Sequence, residues 1–156
     1  MKKNILILNN IRSVYNVGAI FRTADALGIN KIYLSGYTPA PLDRFGRIRK
    51  DFHKSALGAE KSVPWEQSEN ILNLIDQLKE EGYRIISIEQ DQRSVDYKKV
   101  KLNNKNAFIL GSEVEGLSES VLNKSDVISE IKMLGKKESL NVSVAAGIVL
   151  SRLLNM

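Results

Sequence analysis

Short, almost uninterrupted apolar runs, separated by segments of helical periodicity, constrain this chain more than any other feature. Ile5-Leu6-Ile7-Leu8 reads as a strand, and its continuous hydrophobicity requires burial on both faces. Val17, Ile20, Phe21, Ala24 and Leu27 then recur at helical spacing, with Asn16 placed to cap the helix and Gly28 to stop it. Residues 31–35 form a second strand, and residues 36–50 read as a loop with Gly36, Pro39, Pro41, Gly46 and a basic cluster. A short helix is expected over about 51–58. Ser68 can cap an amphipathic helix carrying Ile71, Leu74, Ile75 and Leu78, closed by Gly82. Strands follow at 84–88, 107–110 and 127–131, and a last helix starts near Asn141. That helix is apolar over most of its circumference, from Val142 to Leu154, so it needs cover on more than one side, in a central position or a dimer interface. The alternation predicts an α/β fold, with a mainly parallel sheet flanked by helices.

Composition narrows the function classes. With 156 residues, 43% hydrophobic and 26% charged, the chain can bury one core, so a single domain over residues 1–156 is expected and intrinsic disorder is excluded. No apolar stretch approaches the ~20 residues of a membrane-spanning helix, and the N-terminal apolar run is too short for a signal peptide. A cytoplasmic protein without a membrane partner is therefore expected. There is no cysteine and one histidine, His53, which excludes disulfides, thiolate zinc sites, cysteine nucleophiles and paired-histidine metal centres. Residues 1–64 hold 11 Lys and Arg against 4 Asp and Glu, whereas residues 65–156 hold 12 against 14. A basic half suits a polyanion, although net charge alone favours an ordinary solvated surface.

Three loops after predicted strands carry more special residues than a turn needs, at the strand ends where open parallel sheets bind ligands. The first, residues 9–18, leads into the helix bearing Arg22. The second, Leu110-Gly111-Ser112-Glu113-Val114-Glu115-Gly116-Leu117, has the glycine spacing of a phosphate loop but lacks its lysine. Its two carboxylates would repel a polyphosphate and suit a neutral or cationic ligand. In the third, residues 131–143, Ser139 and Asn141 can cap the last helix. Separately, residues 44–54 hold five Lys and Arg with Phe45 and Phe52, a composition suited to phosphates and splayed bases, or to a solvated loop with both rings packed inward.

Together the three loops resemble the signature motifs of the SpoU–TrmH family of RNA ribose 2′-O-methyltransferases, within the SPOUT superfamily. The first is Asn16-Val17-Gly18-Ala19-Ile20-Phe21-Arg22-Thr23-Ala24. The second is residues 110–117, and the third is Ile131-Lys132-Met133, Gly135 and Ser139-Leu140-Asn141-Val142-Ser143. They stand in the family's order and spacing over essentially the whole chain, with Lys132 where the family usually has proline. The resemblance implies a deep C-terminal trefoil knot that binds S-adenosylmethionine, and a homodimer. The cofactor residues it implies are Glu89, Leu110, Gly111, Gly116, Ile131, Met133, Ser139 and Leu140. A sulfonium donor agrees with the cationic ligand expected of the second loop.

The resemblance implies a catalytic role for Arg22, positioned by Asn16 and Glu113, with Ser139 and Asn141 shaping the pocket. A guanidinium is normally charged, so orienting the ribose hydroxyl and stabilising the transition state suit Arg22 better than proton abstraction. No appended RNA-binding domain is expected, which leaves RNA recognition to Arg12, Arg44, Arg47, Arg49 and Lys50. The expected RNA is tRNA, with rRNA next. The alternative is a catalytically silent RNA-binding or assembly factor that keeps the knotted fold.

Overall fold

The structure, a computed structural model, describes residues 2–156. In chain order the elements are β1 (Lys3–Asn9), α1 (Val14–Ala26), β2 (Lys31–Ser35), α2 (Lys50–Ala56), α3 (Ala59–Ser62), β3 (Trp65–Ser68) and α4 (Ile71–Glu80). They continue as β4 (Arg84–Ile88), β5 (Val95–Asp96), β6 (Lys105–Leu110), α5 (Glu119–Lys124), β7 (Val127–Glu130) and α6 (Val142–Leu153). The seven strands form one sheet in the order β3-β2-β1-β6-β4-β7-β5, and every pairing is parallel.

Alternation along the central strands splits the core in two. Leu6 and Leu8 of β1, Ile86 and Ile88 of β4, and Phe108 and Leu110 of β6 pack beneath α1, α2 and α6. Ile5, Ile7, Ile85, Ala107 and Ile109 face the opposite way, against α4 and α5. Burial of both faces explains the uninterrupted apolar runs. The edge strands β3 and β5 have no such run: WEQS is mostly polar, and β5 has only two residues, so hydrophobic continuity does not reveal them.

Two caps differ from expectation. Ser13, not Asn16, caps α1, its Oγ accepting the Asn16 N–H at 3.2 Å. Asn16 lies buried in the first turn, its side chain free for tertiary contacts. Asn70, not Ser68, caps α4, accepting from the N–H groups of Leu72 and Asn73, because Ser68 ends β3. Asn141 does cap α6, accepting from the Ser143 N–H at 2.9 Å. Gly18 is required where α1 meets α2: a Cβ there would stand 2.8 Å from the Phe52 carbonyl oxygen and against Ser55. Helix α6 buries Val142, Ala146, Val149, Leu150 and Leu153 but leaves Val144 48% and Ile148 36% exposed. No helix among the described residues is long and apolar enough to cross a membrane.

Candidate active site

Parallel pairing brings the ends of β1, β4, β6 and β7 to one edge. There a cavity of about 340 Å³ opens, lined by Glu89 and Gln90 after β4, residues 110–116 after β6, and the segment after β7 with Val142 and Ala145 of α6. The glycine loop closes on itself: the Gly116 N–H donates to the Ser112 carbonyl at 2.9 Å, and Ser112 Oγ accepts from the N–H groups of Val114 and Glu115. Gly116 sits at φ 67°, and a Cβ there would stand 2.5 Å from Glu89 Oε2. That carboxylate oxygen accepts the Leu117 N–H at 2.9 Å, so the end of β4 props the loop after β6. Gln90 Nε2 donates to the Glu138 carbonyl at 2.8 Å and ties in the third loop.

The lining is acidic. Glu89, Glu113, Glu115, Glu130 and Glu138 contribute to it, and no lysine or arginine does. Charge of one sign around a concave site concentrates ligands of the other, so the cavity suits a cation and disfavours a polyphosphate.

Glu113 joins all three loops. Its Oε1 accepts from Asn16 Nδ2 at 3.2 Å and from the Ser13 N–H at 3.4 Å, and its Oε2 from the Arg12 N–H at 3.2 Å. Asn16 Oδ1 in turn accepts from Asn141 Nδ2 at 3.1 Å. Burial pushes the Glu113 carboxyl up, but hydrogen bonds from its own backbone, Asn16, Arg12 and Ser13 outweigh this and hold it below its ordinary value of 4.5. Glu60, nearly fully buried on α3, is also held low. Burial raises it, but His53, its own backbone and the Gly58 N–H outweigh that.

A lowered folded-state pKa means the unfolded chain binds more protons in acid. The stabilisation from both carboxylates is therefore full above about pH 4.5 and lost as pH falls further. Urea unfolding from pH 7 to 3 should show this loss for the wild type and a shallower acid limb for Glu113→Gln. Equal acid limbs would mean that the Glu113 bonds do not persist in solution.

All eight expected cofactor residues line the cavity: Glu89, Leu110, Gly111, Gly116, Ile131, Met133, Ser139 and Leu140. Lys132 is exposed and does not, although Ile131 and Met133 on either side of it do. Of the expected catalytic set, Glu113 and Ser139 line it, while Asn16 and Asn141 adjoin it through Glu113. Arg22 is exposed and outside the lining, so Asn16 and Glu113 are bonded to each other rather than to Arg22. Arg12, Arg44, Arg47, Arg49 and Lys50 also lie outside it. Arg47 pairs with Asp43 and Arg49 with Asp51, which offsets part of the basic cluster. Gln90, Glu130 and Glu138 were missed by sequence reasoning. Only the position of Gln90 just beyond β4 could have drawn attention to it.

The glycine-bearing, carboxylate-lined cavity thus lies outside the strand ends of an all-parallel α/β sheet, the place where such sheets bind ligands. The chain belongs to the SpoU rRNA methylase family, which it matches over residues 3–151. It is 35% identical over 147 residues to the 23S rRNA (guanosine-2′-O-)-methyltransferase RlmB of Neisseria meningitidis serogroup B, covering 94% of this chain and 56% of that one. It thus spans about half the length of the curated relatives it matches. Among solved structures, the TrmH/SpoU tRNA modifying enzyme of A. aeolicus superposes with a TM-score of 0.86 at 27% identity, over 99% of this chain and 75% of its own. The AdoMet-bound rRNA methyltransferase of Sinorhizobium meliloti has the same fold, with a TM-score of 0.88 at 24% identity over 98% and 56% of the two chains.

Proposed function

We propose that residues 1–156 form a single methyltransferase domain that transfers a methyl group from S-adenosylmethionine to a ribose 2′-hydroxyl of RNA. One observation carries the reading: the eight residues that the family resemblance implies for the cofactor meet in one cavity lined by five glutamates and no basic side chain. Such a lining fits a sulfonium and rejects nucleoside polyphosphates. The trefoil-knotted path of the C-terminal segment belongs to the same proposal.

When bound, the cofactor supplies an electrophilic methyl on sulfur. Glu89, Gly111 and Gly116 would hold its polar groups, and Ile131, Met133 and Leu140 its apolar parts. Glu113 keeps Asn16, Asn141 and the backbone at Arg12 and Ser13 in fixed relation, so the loops on which the RNA ribose must settle are preorganised. Arg22 orients the ribose hydroxyl and its neighbouring phosphate, and offsets the negative charge that develops as the oxygen attacks.

The domain works as a homodimer. The exposed Val144 and Ile148 on α6 form the contact, and Arg22, outside its own cavity, serves the site formed with a second copy. The substrate proposed first is tRNA, with rRNA next; the relatives include both a tRNA modifying enzyme and a 23S rRNA methyltransferase.

Methyl transfer from isotope-labelled S-adenosylmethionine to separated tRNA and rRNA pools lacking the modification tests the proposal. Label is expected in a 2′-O-methylnucleoside from tRNA. Recovery from rRNA alone would reverse the substrate order. Cofactor binding without transfer to either pool would point to the silent RNA-binding factor.

A further inference from the structure

We propose that the loop between β2 and α2 is a base-stacking finger, in which Phe45 receives an unpaired nucleobase, so that the RNA is engaged as a single strand or loop rather than as a duplex. The proposal rests on the RNA reading above and gives it a recognition element. Phe45 and Phe52 come from the same basic segment, but the fold treats them oppositely. Phe52 is fully buried, edge-on to Phe21 with centroids 5.2 Å apart, whereas Phe45 is 66% exposed.

The surroundings of Phe45 set it apart from an incidental surface ring. The guanidinium carbons of Arg44 and Arg47 stand 4.7 and 5.1 Å from its centroid. Asp43 holds the turn: Oδ1 accepts the N–H groups of Phe45 and Arg47 at 2.8 and 3.0 Å, and Oδ2 accepts Arg47 Nε at 2.8 Å. Leu42 and Ile48 bridge across its base. The ring is thus displayed by a closed loop, which lowers the ordering cost of binding.

The two arginines are not equivalent. Arg47 is tied to Asp43, while Arg44 has no carboxylate in ion-pair range among the described residues. A base can displace Arg44 from the ring, because each base has a π-face that stacks without regard to sequence. The freed guanidinium then meets an adjacent phosphate. A base inside a duplex is already stacked and offers no such face. The loop leaves β2 at Ser35, on the edge where the cavity lies, and β2 is two strands from β6, about 10 Å. An RNA strand that runs from the cavity toward the end of β2 would meet the base of the finger, and the exposed Arg12 after β1 and Lys50 at the start of α2 would meet its phosphates.

The test uses the full chain and a 12-nucleotide RNA probe with a central 2-aminopurine, single-stranded or annealed to its complement. Anisotropy would give affinity at several salt concentrations, and 2-aminopurine fluorescence would report stacking. Wild type should bind the single strand about tenfold more tightly than the duplex and change the probe's fluorescence. Phe45→Ala should lose about tenfold on the single strand, lose the fluorescence change, and keep both the duplex affinity and the salt slope. Phe45→Trp should behave as wild type, and an Arg12→Ala/Lys50→Ala variant should flatten the salt slope for both probes.

Equal wild-type binding to the two probes would overturn the proposal, as would unchanged single-strand affinity in Phe45→Ala. A Phe45→Ala change in self-association with RNA affinity intact would instead assign the ring to a protein contact. None of these readouts needs methyl transfer, so failure of the stacking proposal and failure of the enzymatic reading are separable.

Discussion

Replacing Arg22 by alanine is expected to lower single-turnover methyl transfer about 10²- to 10³-fold, the range seen when one preorganised donor to developing charge is removed. The same variant should bind cofactor within about twofold of wild type, because Arg22 does not line the cavity. Its thermal unfolding should also be little changed, since the side chain is exposed and surface substitutions usually cost within about 0.5 kcal/mol. Arg22→Lys separates charge from shape. An ammonium keeps the charge but not the planar fork that engages a phosphate and a hydroxyl together, so only part of the rate should return. Near-wild-type turnover in the lysine variant would reduce the role of Arg22 to a point charge. If the site is shared between copies, mixing Arg22→Ala chains with chains inactivated at the cavity should recover activity in mixed dimers.

Gly116→Ala is expected to weaken cofactor binding by about 30-fold or more. The residue sits at φ 67°, where a side chain costs roughly 1–3 kcal/mol, and its Cβ would press on Glu89 Oε2. Relief requires either the Glu89 carboxylate to swing away, which breaks its Leu117 prop, or the loop to move, which breaks the Gly116–Ser112 bond, and both shape the cavity. Gly46→Ala provides the control. It imposes the same left-handed strain, at φ 76°, but its Cβ would meet open space and it lies outside the cavity. Calorimetric titration with S-adenosylmethionine should show unchanged affinity for Gly46→Ala. Equal losses in both variants would mean that general loosening, and not the cavity, is responsible.

Much of this molecule was legible before its structure. The apolar run at Ile5–Leu8 is a strand because burial on both faces disfavours polar residues, and in Arg84–Ile88 the one fully buried polar side chain, Ser87, is satisfied by Ser125 Oγ at 2.6 Å. Seven of the eight residues expected at the cofactor came from the second and third motifs, whose glycines and caps have recognisable local chemistry, and Glu89 from the end of the preceding strand; all eight line one cavity. Other features were hidden. β3 and β5 owe their conformation to pairing with β2 and β7 rather than to their own residues. Asn16 was misread as a cap because Ser13, three residues earlier, competes for the same local role. The tie from Gln90 to the third loop spans 48 residues and has no local signature.

By itself the sequence determined what local chemistry can determine: which segments are buried strands, which helices are amphipathic, which loops carry glycine and carboxylate, and that disulfide and histidine-pair chemistry is absent. Only the tertiary structure decided which of these segments meet. Isoleucine, leucine and valine bury equally well against many partners, so nothing in β1 or β4 specifies that β6 runs between them. That insertion brings Glu113 within hydrogen-bond reach of Asn16, 97 residues away, and Asn16 within reach of Asn141, 125 residues away. It is likewise packing around α1 that takes Phe52 into the core and leaves Phe45, seven residues earlier and chemically identical, in solvent.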